Sequence, residues 1–147
     1  MPRGTLEVLL VSAKGLESND ILSNMDPYVI ITCRTQEQKS SVASGQGTEP
    51  NWNENFVFSI SDGVSELNIK IMDKDTFTSD DFVGEASIPL EPLFMEGSIP
   101  PTAYNVVSSD QTYCGEIRVG LTFTPEETSY ADRDFEAENF GGWKESG

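Results

Sequence analysis

Apolar and polar residues alternate along much of this chain. Leu67, Ile69 and Ile71 are interleaved with Asn68, Lys70 and Met72, and Ile117, Val119, Leu121 and Phe123 with Arg118, Gly120 and Thr122. Phe56, Phe58 and Ile60 do the same around Val57 and Ser59. Successive side chains of a strand point to opposite faces, so a period of two marks a half-buried strand. Further strands are predicted near residues 5–13, 27–34, 39–44, 82–89 and 104–108, with the last strand over 116–124. Eight strands with turn-forming stretches between them predict an all-β fold, an eight-stranded antiparallel β-sandwich. One helical turn is predicted over residues 91–96, from Glu91-Pro92 to Glu96, closed by Gly97. No internal repeat is visible.

The character of the chain changes at Pro125. Glu126-Glu127 opens an acidic segment without a β pattern, so a domain over 1–125 and a disordered acidic tail over 126–147 are expected. The tail's Tyr130, Phe135, Phe140 and Trp143 leave two readings open, a motif for a protein partner or docking onto the domain.

In a run of antiparallel strands every second connection lies at the same end. The connections after the first, third and fifth strands, residues 14–26, 45–53 and 73–81, therefore share one rim. The first holds Asp20 and Asp26, the third Asp73, Asp75, Asp80 and Asp81. Carboxylates brought that close repel unless protons or a cation neutralise them. Calcium suits such a site, because it takes about 6–8 oxygens in irregular geometry. Magnesium needs a tighter octahedron, while zinc and copper favour histidine or thiolate, and the chain has no histidine. An EF-hand is excluded: counted from Asp73, the glycine position is Thr78 and the terminal glutamate position is Gly84.

Charge and composition narrow the function. The net charge of −16 opposes nucleic acid and, by itself, an anionic membrane, so a membrane role requires a local reversal of sign. Two cysteines, Cys33 and Cys114, make neither a disulfide framework nor a zinc site and are expected to be reduced and buried. No apolar run is long enough to span a bilayer. Met1-Pro2-Arg3-Gly4 lacks the marks of a signal peptide and of N-myristoylation, so a soluble intracellular protein is expected. Without a histidine base, a G-x-S-x-G elbow or a phosphate-binding glycine loop, an enzyme is not expected.

Three stretches carry a resemblance. Leu6-Glu7-Val8, Ala13-Lys14-Gly15-Leu16 and Met25-Asp26-Pro27-Tyr28-Val29 resemble the opening of a C2 domain. Pro50-Asn51-Trp52-Asn53-Glu54-Asn55-Phe56-Val57-Phe58 resembles the family's NPxWNExFxF stretch with proline and asparagine transposed. Met72-Asp73-Lys74-Asp75 with Asp81-Phe82-Val83-Gly84 resembles its third calcium loop. The resemblance covers about residues 4–124 and is greatest to the small plant C2 proteins of the elicitor-responsive type.

The resemblance implies the type II topology, with the last strand in the sheet position that the first fills in type I. It implies Ca2+ as the cofactor, held by Asp20, Asp26, Asp73, Asp75 and Asp81, with the Thr78 hydroxyl and the carbonyls of Asn19 and Lys74 as further donors. Asp80 has no family role and is expected to be a solvated neighbour, and Trp52 is expected in the core. Five aspartates carry −5 and two calcium ions +4, so bound metal would bring the rim to about −1. Affinity without lipid is expected to be roughly micromolar or weaker. Ile21, Leu22, Met25 and Phe77 are expected to contact the membrane, contributing on the order of 1–2 kcal/mol each. With only Arg34 and Lys39 near the concave face, and Glu37 between them, strong phosphoinositide specificity is not expected. The expected protein is a cytoplasmic monomer recruited by calcium to an anionic phospholipid membrane, the plasma membrane above all, in signalling or defence. The alternative is a calcium-independent interaction or phloem-type transport protein.

Overall fold

The structure, a computed structural model, describes residues 3–16, 25–61 and 63–126. Among them the chain forms β1 (Gly4–Lys14), β2 (Pro27–Cys33), β3 (Gln36–Lys39), β4 (Asn51–Ile60), β5 (Glu66–Asp73), β6 (Asp81–Pro89), α1 (Glu91–Glu96), β7 (Ser98–Val107) and β8 (Tyr113–Pro125). The alternation in the sequence is the burial pattern of these strands. Leu67, Ile69 and Ile71 of β5 are fully buried and Lys70 between them is exposed. In β4, Trp52, Phe56, Phe58 and Ile60 face inward while Val57 is 54% exposed. Trp52 thus lies in the core as expected, its indole N–H donating to the Ser41 carbonyl at 3.1 Å.

Every strand pair is antiparallel, and the order is β3-β2-β5-β6-β7-β8-β1-β4. A single residue pair, Glu85 with Val107, joins β6 to β7. The order therefore divides into two four-stranded layers, whose inward residues share one core. β8 lies between β7 and β1, the placement implied by the type II topology. The helix is where the sequence puts it: Pro92 sits in its first turn, Leu93 is buried, and Gly97 (φ 87°) donates to the Leu93 carbonyl at 2.7 Å. Both cysteines are buried and neither is in a disulfide.

Several strand boundaries differ from expectation: β4 begins at Asn51, inside the predicted 45–53 connection, β8 begins at Tyr113, and β3 and β7 are displaced further. The third strand runs over Gln36–Lys39 instead of 39–44. It has no apolar residue to betray it, because its glutamines face the edge of β4. Gln36 exchanges two hydrogen bonds with the Ser59 backbone, at 2.6 and 2.9 Å, and Gln38 donates to the Val57 carbonyl at 2.6 Å. Side-chain amides thus satisfy a strand edge that would otherwise be open. Residues 40–43 leave the ladder yet stay beside β2, with Ser40 and Ala43 donating to the carbonyls of Val29 and Pro27. The seventh strand begins at Ser98, before the expected 104, and carries Pro100 and Pro101 within an irregular stretch between Ile99 and Thr102.

Backbone hydrogen bonds bring three connections to one end. Leu16 N–H donates to Thr48 O, Gly47 N–H to Met25 O, and Lys74 N–H to Asp26 O. The scaffold under that end depends on the shared core, so Phe58→Ala, at a site only 1% exposed, is expected to cost about 3–5 kcal/mol in urea unfolding. A loss well under 1 kcal/mol would show that the two layers do not depend on that contact.

Candidate functional site

Sheet register places the acidic rim. Asp73 is the last residue of β5, opposite Pro27 on one side and Asp81 on the other. The Asp26 N–H donates to Asp73 Oδ1 at 3.0 Å, and Asp26 Oδ1 accepts the Gly45 N–H at 2.6 Å. The second connection thereby reaches the rim through its backbone, at a glycine with φ of 70°. Asp26 and Asp73 are therefore brought together, with Asp81 on the adjoining strand. Asn19, Asp20, Ile21 and Leu22 lie outside the described residues, as does the expected tail from residue 127 onward.

The third connection, residues 74–80, is folded around its own acids. Asp75 Oδ1 accepts the N–H groups of Phe77 and Thr78 at 2.9 and 3.2 Å, and Oδ2 accepts the Thr78 hydroxyl at 2.8 Å. This turn lifts Phe77 clear of the domain, where it is 94% exposed. Lys74, expected to offer its carbonyl, donates its N–H to Asp26 O, and its ammonium is 3.8 Å from Asp80. Met25 corrects the expectation for the apolar tips. It is 2% exposed and belongs to the core, because the Gly47 N–H on its carbonyl holds the chain beneath the rim.

Asp80 is not the solvated neighbour expected. Its Oδ1 accepts the Asp75 N–H at 2.9 Å and its Oδ2 the Tyr28 hydroxyl at 2.5 Å. Sequence reading passes over both partners. Tyr28 stands in the quoted Asp26-Pro27-Tyr28 stretch, yet only the pairing of β2 with β5 brings it under the third loop.

These contacts set the charges. Burial pushes the Asp73 carboxyl above its ordinary value, the Asp26 N–H opposes that shift, and the charges of Asp26, Asp81 and Asp75 add to it. The Phe77 N–H and the Thr78 hydroxyl and N–H hold Asp75 below its ordinary value. Asp80 is held low by the Asp75 N–H, the Tyr28 hydroxyl and Lys74. Tyr28 in turn is pushed up to about 12, first by its bond to Asp80 and then by burial. One carboxylate is thus disfavoured as an anion, while two others are stabilised by the loop.

The profile of the C2 domain family matches residues 4–106. The chain is a member of the C2 domain family. It is 64% identical to 16 kDa phloem protein 2 of Arabidopsis thaliana, over 99% of this chain and 97% of that one. A solved C2 domain-containing protein attributed to an elicitor-responsive gene is 66% identical, with a TM-score of 0.76 over 87% of this chain and 93% of that one. The calcium-bound tandem C2 domains of Extended-Synaptotagmin 2 are 26% identical, with a TM-score of 0.71 over 84% of this chain and 46% of that one.

Among the described residues of this C2 domain, no three carboxylate, thiol or imidazole groups stand close enough together to hold a metal. The donor set still suits a hard cation. All the groups that meet at the rim offer oxygen, and the charges of Asp26, Asp81 and Asp75 that bear on Asp73 are ones a cation would offset.

The raised Asp73 carboxyl fixes a sign. A carboxyl raised by folding adds stability below its ordinary value of 3.8, and that contribution is lost as pH rises through the folded value. At pH near 7, ionised Asp73 therefore weakens the cation-free protein. Asp73→Asn, which keeps the Oδ1 acceptor, is expected to raise the thermal midpoint in chelator, by less as the pH is lowered. Asp75, held low, has the opposite sign, so Asp75→Ala should lower that midpoint. Differential scanning calorimetry checks both, and an unchanged or lower midpoint for Asp73→Asn contradicts the charge assignment.

Proposed function

We propose that this C2 domain is a non-catalytic module that binds anionic phospholipid membranes when calcium occupies its acidic rim. The observation carrying this reading is the placement of Asp73, partly buried and pressed by the charges of Asp26, Asp81 and Asp75, at the base of the loop that exposes 94% of Phe77. A repelling set of carboxylates next to a bare aromatic is costly in water and useful at a charged, apolar surface. The likeness to the calcium-bound C2 domains of Extended-Synaptotagmin 2 supports the choice of cation.

Asp26, Asp73, Asp75 and Asp81 would hold the metal together with Asp20, and the Thr78 hydroxyl and the Asn19 and Lys74 carbonyls would complete the protein's share. Calcium supplies positive charge and open positions for phosphate or carboxylate oxygens of lipid. The chain's own residues do the rest. Asp26 and Asp73 keep the rim negative until the cation arrives, which repels anionic lipid. Phe77, with Ile21 and Leu22, offers apolar area to the bilayer, while the tie between Gly45 and Asp26 holds the second connection against the same end. Under this reading the protein resides in the cytoplasm as a monomer and moves to membranes, the plasma membrane above all, during calcium signalling or defence.

Co-sedimentation with phosphatidylserine vesicles tests it. Calcium is expected to bring the protein down with the vesicles and chelator to release it. Asp73→Asn with Asp75→Asn should abolish the difference and leave the far-ultraviolet spectrum unchanged. Equal sedimentation in calcium and chelator would end this reading. A second reading, calcium-independent protein interaction or phloem-type transport, is favoured by the 64% identity to a phloem protein. Loss of a partner on removing residues 126–147, with vesicle binding intact, would favour it.

A further inference from the structure

Asp80 falls outside the ligand pattern of the third loop, and its bonds link that loop to β2. One oxygen takes the backbone N–H of Asp75 and the other takes the hydroxyl of Tyr28, a residue 52 positions earlier in β2. The Lys74 ammonium lies 3.8 Å from the same oxygen that receives Tyr28. Tyr28 is itself buried, and its neighbours fix it: it pairs with Met72 of β5, which pairs with Phe82 of β6. The hydroxyl is therefore a fixed post at the foot of a loop whose tip is exposed.

We propose that Asp80 is a positioning residue, which by joining the Tyr28 hydroxyl to the Asp75 N–H holds residues 74–80 in the turn that keeps Asp75 near Asp73 at the rim. The proposal rests on the function proposed above and adds to it the determinant of loop shape. Three features carry it. Asp75 has its N–H committed to Asp80 while its carboxylate is wrapped by Phe77 and Thr78, so the two ends of the turn are pinned by different bonds. The Lys74 ammonium lies 3.8 Å from Asp80, and among the described residues no ion pair joins it to Asp73 or Asp75. The anchor is on the strand that begins directly after Asp26, so the first-loop and third-loop sides of the rim are held to one post.

The alternative is that Asp80 adds negative charge and nothing else, and Tyr28→Phe separates the two because it removes a hydrogen bond without removing charge. Calorimetric titration with calcium chloride is expected to give affinity about fivefold weaker for Tyr28→Phe and about tenfold weaker for Asp80→Ala. Asp80→Asn, which keeps an acceptor for the Asp75 N–H, should fall between wild type and Asp80→Ala. Amide hydrogen exchange in chelator supplies a readout independent of metal: the Asp75 N–H should exchange about tenfold faster in Asp80→Ala, with amides of β5 unchanged. Unchanged affinity in Tyr28→Phe, with equal losses in Asp80→Asn and Asp80→Ala, would overturn the proposal in favour of charge alone. Wild-type protein that takes up no calcium would overturn the proposed function and with it the cation part of this proposal. The exchange rate of Asp75 would still decide whether Asp80 shapes the loop, and an unaccelerated rate would refute that too.

Discussion

The meeting of Asp26 and Asp73 is the constraint on which the loop end depends. The two residues sit where β2 begins and β5 ends, and the pairing of those strands leaves them no freedom to separate. Register in a half-buried sheet is strongly specified, because a slip of one residue would turn Ile69 and Ile71 out of the core and Lys70 into it. The same hydrophobic burial that stabilises the fold therefore holds two carboxylates together, with a third, Asp81, at the next strand. Burial raises the Asp73 carboxyl first, and the charges of Asp26, Asp81 and Asp75 add to that shift, an unfavourable part that a proton or a cation would offset.

The third loop treats its acids differently. Asp75 and Asp80 are supplied with N–H and O–H donors from the loop and from β2, which hold both carboxyls below their ordinary values. The rim thus combines a strained carboxylate fixed by the sheet with stabilised carboxylates fixed by the turn, and the turn presents Phe77 to solvent. In the proposed function these parts act in sequence: charge keeps the anionic bilayer away, the cation cancels that charge, and the exposed ring then has a surface to enter. In that proposed function, barrier and switch are the same residues.

Much of this is legible in the sequence, for a definite reason. Where one face of a strand is apolar, as in β4, β5 and β8, period two gives both the element and its burial. β3 escapes that pattern because Gln36 and Gln38 face a strand edge and carry no apolar signal. β7 is cut short in the sequence because Pro100 and Pro101 mask a strand that tolerates them at an irregular stretch. The strand count and the aspartate spacing predict that the first and third loops share one end, and the register does bring Asp26, Asp73 and Asp81 together there. Met25 misleads because a loop position says nothing of which way the chain folds, and it lies in the core under the Gly47 bond. Asp80 shows no role in the sequence because its partner lies 52 residues away and only register brings the two together.

A titration of the nitrogen-15-labelled protein with calcium, followed by amide chemical shifts, tests the central claim most directly. The account predicts saturable changes concentrated at residues 26, 45 and 73–81, with little movement in the core strands and weaker changes from magnesium. Scattered, unsaturable shifts, or none at Asp26 and Asp73, would contradict it.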